Sequence, residues 1–442
     1  MSPKPYIWSG WTWIEAQTPA QPSNNTTKDM ATEQKAGNAD QIVTPWDVQG
    51  ATTEDGKLEA INYDRLIEQF GTRRIDAEMI ARFERLTGVR AHPFLRRGLF
   101  FSHRDLGSIL DRFEKGKPFF LYTGRGPSSG SMHTGHMIPF LFCKYLQDAF
   151  NAPLVIQLTD DEKFLFKQDL KLDEAHKYAI ENAKDIISFG FDPKRTFMFS
   201  NLDYMGGGFY SNVVKIAKCI TFSQARAAFG FSDSDNIGKI HFASIQAAPS
   251  FSNTFPHMFG TKGDIPCLIP CAIDQDPYFR ITRDVAVRLK YPKPALIHAQ
   301  FFPALQGSGT KMSASKAESA IYITDSPAVI KNKINRHAFS GGGATAELHA
   351  TNGGNPDVDV AFQWLKFLLD DDAELETIER TYRAGTLSTS NLKKRCIEVV
   401  TKIVVEIQER RKLVTDELVR EFMDPAAPKN IQLKTPVTGV KA

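Results

Sequence analysis

The sequence predicts an α/β fold in which a doubly wound parallel sheet is followed by a C-terminal α-helical domain. Three observations predict it. A short apolar run at Phe119–Thr123 leads through a glycine-rich turn into a segment with helical spacing of apolar residues. Apolar runs and helical segments then alternate as far as Ile323, which is the order of a doubly wound sheet. The rest of the chain has a helical pattern.

Composition indicates a large soluble protein. The chain has 442 residues, 42% of them hydrophobic and 24% charged, which is enough for more than one domain. A net charge of +3 does not by itself indicate a nucleic-acid partner. The five cysteines have no regular spacing, so a reducing compartment is predicted instead of a disulfide framework. No stretch is long and apolar enough to span a membrane, so we expect a cytoplasmic protein without membrane or DNA partners.

Five segments are predicted along the chain. Residues 1–41 are rich in Gln, Asn, Thr and Pro, which predicts a poorly ordered extension. Its tryptophans, Trp8, Trp11 and Trp13, are candidates for docking a partner. An α/β element over 42–116 precedes the sheet domain over 117–325. A helical domain over 326–424 and a flexible tail over 425–442 complete the chain.

The element over 42–116 combines a small β element with helices. Residues 42–50 form the β element, a helix ends near Phe70, and further helices span Asp76–Leu86 and Asp105–Glu114. Arginines are dense here, and they favour either contact with RNA phosphates or a solvated helix surface. These arginines are Arg73, Arg74, Arg82, Arg85, Arg90, Arg96, Arg97 and Arg104.

The strand at Phe119–Thr123 ends in a turn suited to a phosphate ligand. In an open α/β sheet, ligands bind where a strand ends and the next helix begins, and a helix N-terminus attracts phosphate. His133 and His136 lie three residues apart at that helix start, so both can donate hydrogen bonds from one side. Gly135 between them leaves room for a flat ring against the backbone. The alternative is a helix start with two surface histidines.

A second loop, GTKMSASK over 309–316, is polar and flanked by glycine, as mobile loops are. Lys311, Ser313 and Ser315 are candidates for closing over a polyphosphate and neutralising the charge on a leaving pyrophosphate. The alternative is an ordinary surface loop that carries a lysine.

Polar residues interrupt apolar segments at other places. Gln157 lies in a continuous apolar strand over 154–159, and Gln246 lies in a run of small and apolar residues. A buried amide needs a hydrogen-bond partner, so each glutamine points into a pocket or to a neighbouring backbone. Acidic residues cluster in Asp160–Lys163 at the strand's end, where an acid either holds an amino group or caps a helix. Gln275 stands at a later switch from strand to helix.

These motifs resemble the class I aminoacyl-tRNA synthetases, which have a His-x-Gly-His turn after the first strand and a Lys-Met-Ser-x-Ser loop late in the same α/β unit. The longer segments IQLTDDEK, SIQAAPSFSN, PCAIDQDPYFRITRDVA and GTKMSAS are similar to tryptophanyl-tRNA synthetases of the eukaryotic cytosolic type. The similarity extends from Ile42 to Met423. It implies a Rossmann-like catalytic domain over 117–325, an anticodon-binding domain over 326–424 and a homodimer joined through helices of the catalytic domain. Apolar helical faces between Gly206 and Phe231 are candidates for the dimer contact, and ordinary core packing explains them equally well.

The segment that resembles an anticodon-binding domain is predicted to be a series of helices, at Ser326–Phe339, Asp357–Leu369, Ala373–Arg383 and Asn391–Phe422. The last helix is rich in basic residues, which either contact single-stranded RNA or form a solvated surface. They are Lys393, Lys394, Arg395, Arg410, Arg411 and Lys412.

The resemblance also implies roles for individual residues. Tyr122 and Gln157 would contact the indole of tryptophan, and Glu162 and Gln246 its amino group, with Gln275 near both substrates. Because the indole N–H is the only donor of that side chain, discrimination needs an acceptor in an apolar pocket. The ATP-binding residues implied in the same way are Thr123, Gly124, Arg125, Gly126, Ser128, Thr134, Gly135 and Met312.

The implied reaction has two steps. The tryptophan carboxylate attacks the α-phosphate of ATP, which gives tryptophanyl-adenylate and pyrophosphate, and a ribose hydroxyl of tRNA(Trp) then attacks the acyl carbon. Positioning and charge neutralisation carry such chemistry, so the catalytic residues are predicted to stabilise the transition state. They are His133, His136, Lys311, Ser313 and Ser315. Mg²⁺ would arrive with ATP, and no dedicated metal site of the protein is predicted.

Three alternatives remain open at this stage. A tyrosine–tRNA ligase shares the fold and both nucleotide motifs. A nucleotidyltransferase with a His-x-Gly-His turn makes a dinucleotide or an activated alcohol. A scaffolding protein on a synthetase fold would have no activity. Pyrophosphate exchange into ATP that depends on one amino acid separates them.

Overall fold

The computed structural model describes residues 6–8, 13–15, 41–44, 48–51, 59–312 and 317–437, and residues 1–37 and 38–442 form separate compact units. In the first unit, β1 (Tyr6–Trp8) pairs antiparallel with β2 (Trp13–Glu15). These strands differ from the predicted disorder because aromatic and β-branched residues favour pleated structure. The rest of the extension over 1–41 lies almost entirely outside the described residues.

The second unit contains the remaining elements. Its strands are β3 (Ile42–Val43), β4 (Val48–Gln49), β5 (Arg73–Arg74), β6 (Phe100–Arg104), β7 (Phe120–Arg125), β8 (Leu154–Leu158), β9 (Thr196–Ser200), β10 (Cys267–Ala272), β11 (Ala295–Ala299), β12 (Pro303–Ala304) and β13 (Gly307–Lys311). Its helices are α1 (Tyr63–Phe70), α2 (Ala77–Thr87), α3 (Pro93–Arg96), α4 (Leu106–Glu114), α5 (Thr134–Phe150), α6 (Asp160–Phe166), α7 (Leu172–Ile187), α8 (Asn201–Tyr204), α9 (Gly207–Ala217), α10 (Phe222–Phe229), α11 (Ile237–Ala247), α12 (Pro256–Phe259), α13 (Asp276–Leu289), α14 (Pro327–His337), α15 (Ala346–Asn352), α16 (Val360–Leu368), α17 (Asp372–Arg383), α18 (Thr389–Lys412) and α19 (Asp416–Met423).

The main sheet has the strand order β5-β6-β11-β10-β7-β8-β9. The five strands from β11 to β9 are parallel, whereas β5 and β6 are antiparallel to the neighbours they pair with. The sheet is therefore parallel over these five strands, as predicted, and two antiparallel strands extend it at one edge. Within the element over 42–116, β5 and β6 belong to this main sheet, and β3 and β4 belong to a smaller one. Polar residues such as Arg73 and Arg104 obscured these strands in the sequence, since strands near a sheet edge need not be apolar.

Alternate residues of the parallel strands enter two different cores. Leu121 and Ile156 belong to one apolar cluster, and Tyr122 and Val155 belong to another. Helices therefore cover both faces of the sheet, which confirms the doubly wound fold. Strand β8 follows β7 on one side, and β10 lies on the other side. The strand order thus reverses beside β7, and a ligand crevice is expected at the carboxyl ends of β7 and β10.

A smaller sheet, in the order β12-β13-β4-β3, supports the start of the loop over 309–316. The backbone of Lys311 pairs with Pro303, and Thr310 pairs with Gln49. Trp364 on α16 is fully buried and donates its indole N–H to the carbonyl of Pro303 at 3.0 Å. The C-terminal helical domain and the small β element therefore both hold the strand that leads into this loop.

Most of the N-terminal arginines form internal ion pairs. Arg82 pairs with Asp111 and Glu114, and Arg74 with Asp64. Arg90, Arg96 and Arg97 all contact Asp372 on α17, and Arg104 contacts Asp276 on α13. Arg96, Arg97 and Arg104 are mostly buried in these contacts, which favours a structural role for them. Arg74 and Arg90 are 55% and 72% exposed, so contact with RNA stays a prediction for them. Arg97 also donates to two backbone carbonyls of the helical domain, so this segment joins the two parts of the unit.

The predicted single helix over Asn391–Phe422 is wrong. Helix α18 ends at Lys412, and α19 begins after Thr415, whose side chain accepts a hydrogen bond from the N–H of Leu418. Such a side-chain cap starts a new helix. Several of the basic residues on α18 have acidic or carbonyl partners. They are Lys393, Arg395, Arg411 and Lys412.

Residues 425–437, predicted as part of a flexible tail, lie along the sheet domain. The N–H groups of Asn430, Lys434 and Val437 donate to the carbonyls of Lys194, Phe150 and Leu86, respectively. Arg195 also donates to the carbonyl of Gln432 at 2.7 Å. The polar composition of the tail does not indicate this, because backbone hydrogen bonds to distant carbonyls leave no sequence pattern.

Replacing Asp276 with alanine is expected to lower the free energy of unfolding at pH 7 by about 3–5 kcal/mol, because it leaves a largely buried arginine unpaired. Asp276 is fully buried and accepts hydrogen bonds from Arg104 Nε at 2.7 Å and Nη2 at 2.8 Å. Burial acts to raise the pKa of Asp276, but hydrogen bonds from Arg104 and His298 hold it below the ordinary value.

Urea denaturation of wild type and variant at several pH values tests this prediction. Since the folded-state pKa of Asp276 is lowered, its contribution is present above the unfolded value of about 3.9 and decreases as pH falls through the folded pKa. The two proteins should therefore converge at acid pH. Asp64→Ala removes an exposed Asp–Arg pair and should cost no more than about 1 kcal/mol. An equal loss in both variants would contradict the prediction.

Candidate active site

A cavity of about 490 Å³ opens at the carboxyl ends of β7 and β10, within the usual size of a small-molecule site. Most of the predicted site residues meet there. They are Tyr122, Thr123, Gly124, Arg125, Gly126, His133, Gly135, His136, Gln157, Glu162, Gln246, Gln275 and Met312.

Of the other predicted site residues, Thr134 and Ser128 are described and are not among those that line the cavity. Thr134 is buried at the first position of α5. The carbonyl of Ser128 accepts a hydrogen bond from Lys167 Nζ at 2.9 Å. Lys311 contributes its backbone to β13, and Ser313 and Ser315 lie outside the described residues.

One end of the cavity is apolar and contains two buried polar side chains. Phe242, Ile269 and Phe279 contribute to its walls. The hydroxyl of Tyr122 donates to Gln157 Oε1 at 2.7 Å, and both residues are buried. Burial raises the pKa of Tyr122 far above its ordinary value, so its hydroxyl is neutral. Two oxygen atoms that accept hydrogen bonds therefore lie together at the end of an apolar pocket.

Glu162, on the first turn of α6, is held by two neighbours. Thr159 Oγ1 donates to Glu162 Oε2 at 2.8 Å, and Lys163 Nζ lies 2.7 Å from Oε1. Lys163 also crosses Gly126, where an added Cβ would lie 2.1 Å from its Cε. A side chain at position 126 would therefore displace the ends of the Lys163 and Glu162 side chains from their present contact. The cavity thus has an acid and a base side by side between its apolar end and the turn.

At the turn before α5, the rings of His133 and His136 stack with their centroids 3.4 Å apart. Burial, together with the charge of Arg125, lowers the pKa of His133 to about 3 and that of His136 well below the ordinary value. Both rings are therefore neutral at physiological pH. Because a guanidinium can only donate, Arg125 Nη1 donates to His136 Nε2, at 3.0 Å. His136 thus orients Arg125, which the sequence analysis did not predict.

The guanidinium of Arg125 has an unused donor. Its Nε donates to Asn182 Oδ1 at 3.1 Å, but its Nη2 is buried and has no hydrogen-bond partner among the described residues. The same holds for Nδ1 of His133. Burial lowers the pKa of Arg125 to about 10, so it remains a cation at neutral pH. A buried cation with a free donor beside a helix N-terminus suits a phosphate group.

The loop over 309–316 begins against this turn. Met312 is buried and lies 3.6 Å from where a Cβ on Gly135 would be, and Thr134 Oγ1 is 3.7 Å from Met312 Sδ. Lys311 therefore precedes a residue packed directly on the first turn of α5. The two nucleotide motifs, 178 residues apart in the sequence, are adjacent in the fold.

Three side chains near the cavity were not assigned roles from the sequence. Lys163 belonged to the acidic cluster after β8, and Asn201 directly follows β9, so both occupy strand ends that the topology marks as ligand-facing. Asn182 lies in the middle of α7 and contacts both Arg125 and the Ser129 carbonyl. No sequence pattern indicates Asn182, since only the packing of α7 brings it to the turn.

Comparison with known proteins agrees with this geometry. Residues 114–405 match the family described as tRNA synthetases class I (W and Y). The chain is 65% identical over 385 residues to the cytoplasmic tryptophan–tRNA ligase of Schizosaccharomyces pombe, covering 87% of this chain and 97% of that protein. It is 61% identical over 386 residues to the human cytoplasmic tryptophan–tRNA ligase, covering 87% and 81%. A tryptophanyl-tRNA synthetase from Encephalitozoon cuniculi, solved bound to tryptophan, superposes with a TM-score of 0.78 at 46% identity, covering 83% of this chain and 99% of that one.

The doubly wound sheet, the paired nucleotide motifs and the family match define a class I aminoacyl-tRNA synthetase. The predicted resemblance is confirmed at this level. Within that class, the chain belongs to the cytoplasmic tryptophan–tRNA ligases. No helix in the described part of the chain is long and apolar enough to cross a membrane.

Proposed function

We propose that this chain is a cytoplasmic tryptophan–tRNA ligase that activates L-tryptophan with ATP and transfers it to tRNA(Trp). The observation that carries the proposal is the cavity, whose lining combines apolar side chains, the buried oxygen acceptors of Tyr122 and Gln157, and the buried cation Arg125 beside the N-terminus of α5. Tyr122 and Gln157 would receive the indole N–H, and Glu162 the amino group. Arg125 and the Lys311 loop would hold the phosphates. The relatives' names favour tryptophan over the tyrosine alternative.

The carboxylate of tryptophan would then attack the α-phosphate of ATP. Because the histidine pair is neutral, it acts through orientation and hydrogen bonding and does not shuttle a proton. Arg125 and Lys311 supply the positive charge that neutralises the polyphosphate as pyrophosphate leaves. Mg²⁺ comes with ATP and keeps much of its water. The tRNA contacts the helical domain, whose α18 carries the basic residues Lys394 and Arg410.

Pyrophosphate exchange into ATP, measured with each of the twenty amino acids, tests the function. We expect exchange with tryptophan and no measurable exchange with phenylalanine, because a site built around a buried acceptor is unsatisfied without the N–H and discriminates by about 10⁴-fold or more. Exchange with tyrosine alone would overturn the assignment of the pocket. A folded protein that binds ATP and exchanges with no amino acid would overturn the enzymatic proposal.

The chain further acts as a homodimer, in which a second copy covers an apolar surface on α9 and α10. Tyr210 and Val214 lie one turn apart on α9 and are 53% and 50% exposed, and Phe222 on α10 is 46% exposed. Exposed large apolar groups this close together favour burial against a partner. Sedimentation analysis should give a dimer for wild type and a monomer for Tyr210→Asp/Val214→Asp. Leu348→Asp, on α15, is the control and should stay dimeric; a monomeric wild type would contradict the proposal.

A further inference from the structure

A series of buried hydrogen bonds, which we call the relay, leads away from the apolar end of the cavity. Tyr122 donates to Gln157 Oε1 at 2.7 Å, and Gln157 Nε2 donates to Asn201 Oδ1 at 2.9 Å. Asn201 Nδ2 then donates to Asp161 Oδ1 at 2.7 Å. Gln157 and Asn201 are almost completely inaccessible, and Asp161 is 9% exposed. The relay therefore connects β7, β8, α8 and α6.

The amide groups of Gln157 and Asn201 can each be turned over by 180° without a change of shape. The oxygen and nitrogen of an amide are nearly the same size, so shape alone does not decide which atom faces a neighbour. If Gln157 turned over, its NH₂ would face Tyr122, and the pocket would lose a carbonyl acceptor. The hydroxyl proton of Tyr122 would then move to the carbonyl of Gln246, which lies 3.3 Å away.

A carboxylate at the far end removes this ambiguity. An ionised carboxylate can only accept hydrogen bonds, and Asp161 Oδ1 already accepts from the N–H of Glu162 at 2.7 Å. Asn201 must therefore turn its NH₂ toward Asp161 and its carbonyl toward Gln157. Gln157 must in turn present its NH₂ to Asn201 and its carbonyl to Tyr122. Burial raises the pKa of Asp161 to about 6, against the opposing effect of the Asn201 hydrogen bond, so the carboxylate is ionised at pH 7.5.

We infer that Asp161 and Asn201 are positioning residues for amino-acid specificity: they fix the orientation of the Gln157 amide and thereby keep an acceptor aimed at the indole N–H. This inference rests on the proposed function and extends it to two residues that do not touch the substrate. They affect how well the site distinguishes an amino acid that has the indole N–H from one that lacks it. They do not set the size of the pocket. Asp160, the neighbour of Asp161, is bound by Ser200 and His176 and takes no part in the relay.

The test compares L-tryptophan with 3-(1-benzothiophen-3-yl)-L-alanine, in which sulfur replaces the indole N–H, as substrates for pyrophosphate exchange at pH 7.5. In Asp161→Ala, Asn201 loses the acceptor that fixes the direction of its NH₂, so the relay can reverse. We expect the preference for tryptophan, as a ratio of kcat/KM values, to fall by about tenfold, the effect of one good hydrogen bond. The use of the benzothiophene analogue should change little.

A variant that exchanges the carboxylate and the amide between positions 161 and 201 distinguishes an effect on the orientation of the Gln157 amide from an effect on protein stability. In Asp161→Asn/Asn201→Asp, the carboxylate at position 201 again accepts from Gln157 Nε2, so the preference for tryptophan should return to within about threefold of wild type. Asp359→Ala is the matched control for Asp161→Ala, because Asp359 is a buried, fully hydrogen-bonded aspartate in the helical domain. It should lose stability and keep the preference.

Each outcome bears on one proposal. A wild type without tryptophan-dependent exchange contradicts the proposed function itself. A wild type that exchanges, together with an Asp161→Ala variant that keeps its full preference, contradicts the relay. A swap that folds but does not restore the preference also contradicts it. If the swap is unfolded at the assay temperature, Asn201→Ala alone is the deciding variant. It breaks the connection between Gln157 and Asp161, so an unchanged preference for tryptophan would overturn the inference.

Discussion

Replacing Lys311 with alanine is expected to reduce tryptophan-dependent pyrophosphate exchange by about 100- to 1,000-fold, the usual effect of removing one group that stabilises charge in a transition state. The position of the loop supports this. The backbone of Lys311 lies in β13, and the next residue, Met312, packs against Thr134 and Gly135 at the start of α5. Charge that builds up on the leaving pyrophosphate would develop beside this turn.

The loss should appear mainly in kcat, because a group that acts in the transition state contributes less to ground-state binding. Single-turnover measurement of tryptophanyl-adenylate formation at saturating ATP is the direct assay. Lys331→Ala, which removes an exposed lysine on α14, is the matched control and should react like wild type. A Lys311→Ala variant with wild-type turnover would show that the loop acts without its lysine.

Replacing Arg125 with methionine is expected to lower kcat/KM for ATP by about 100-fold or more while leaving the protein without ATP at least as stable as wild type. The activity falls because the variant loses a charge-assisted donor to phosphate. Stability is retained because a buried cation with an unpaired donor is costly, and an apolar side chain of similar length removes that cost. Nη2 of Arg125 is such a donor.

Thermal unfolding with and without ATP, together with exchange kinetics, tests both parts. Wild type should gain stability on binding ATP, and Arg125→Met should gain little. Arg195→Met is the matched control: Arg195 donates to the carbonyls of Asn151 and Gln432, at the end of the sheet away from the cavity. That variant should lose stability and keep its kcat/KM for ATP. An Arg125→Met protein that is unstable but uses ATP normally would assign Arg125 a structural role alone.

The location of the site could be predicted from local patterns in the sequence, whereas its ligands could be predicted only from a family resemblance. The strand, turn and helix around Gly124–His136 and the polar residues at strand ends follow from periodicity and topology, so the cavity could be located in advance. The identity of its ligands came from the resemblance carried by segments such as IQLTDDEK and GTKMSAS, and the family match confirms that resemblance. The individual roles of these residues stay predictions, which the experiments above are designed to test.

Contacts made over long sequence separations were not predictable. Arg104 is one of ten arginines within residues 42–116, and nothing local distinguishes its burial with Asp276, 172 positions away. The break between α18 and α19 depends on one threonine cap that the continuous helical pattern conceals. The docking of residues 425–437 depends on backbone hydrogen bonds, which any sequence of suitable length can form.

By itself, the sequence determined the fold class, the place of the ligand crevice and the family, because hydrophobic periodicity and motif spacing are local properties of the chain. The tertiary structure alone decided how the polar groups act on one another. It packed His136 beside Arg125, brought Met312 to Gly135 and aligned Asp161, Asn201 and Gln157 into one relay. The physical reason is that the charge state of a buried group and the orientation of a buried amide depend on neighbours supplied by distant elements, within a medium that screens them weakly.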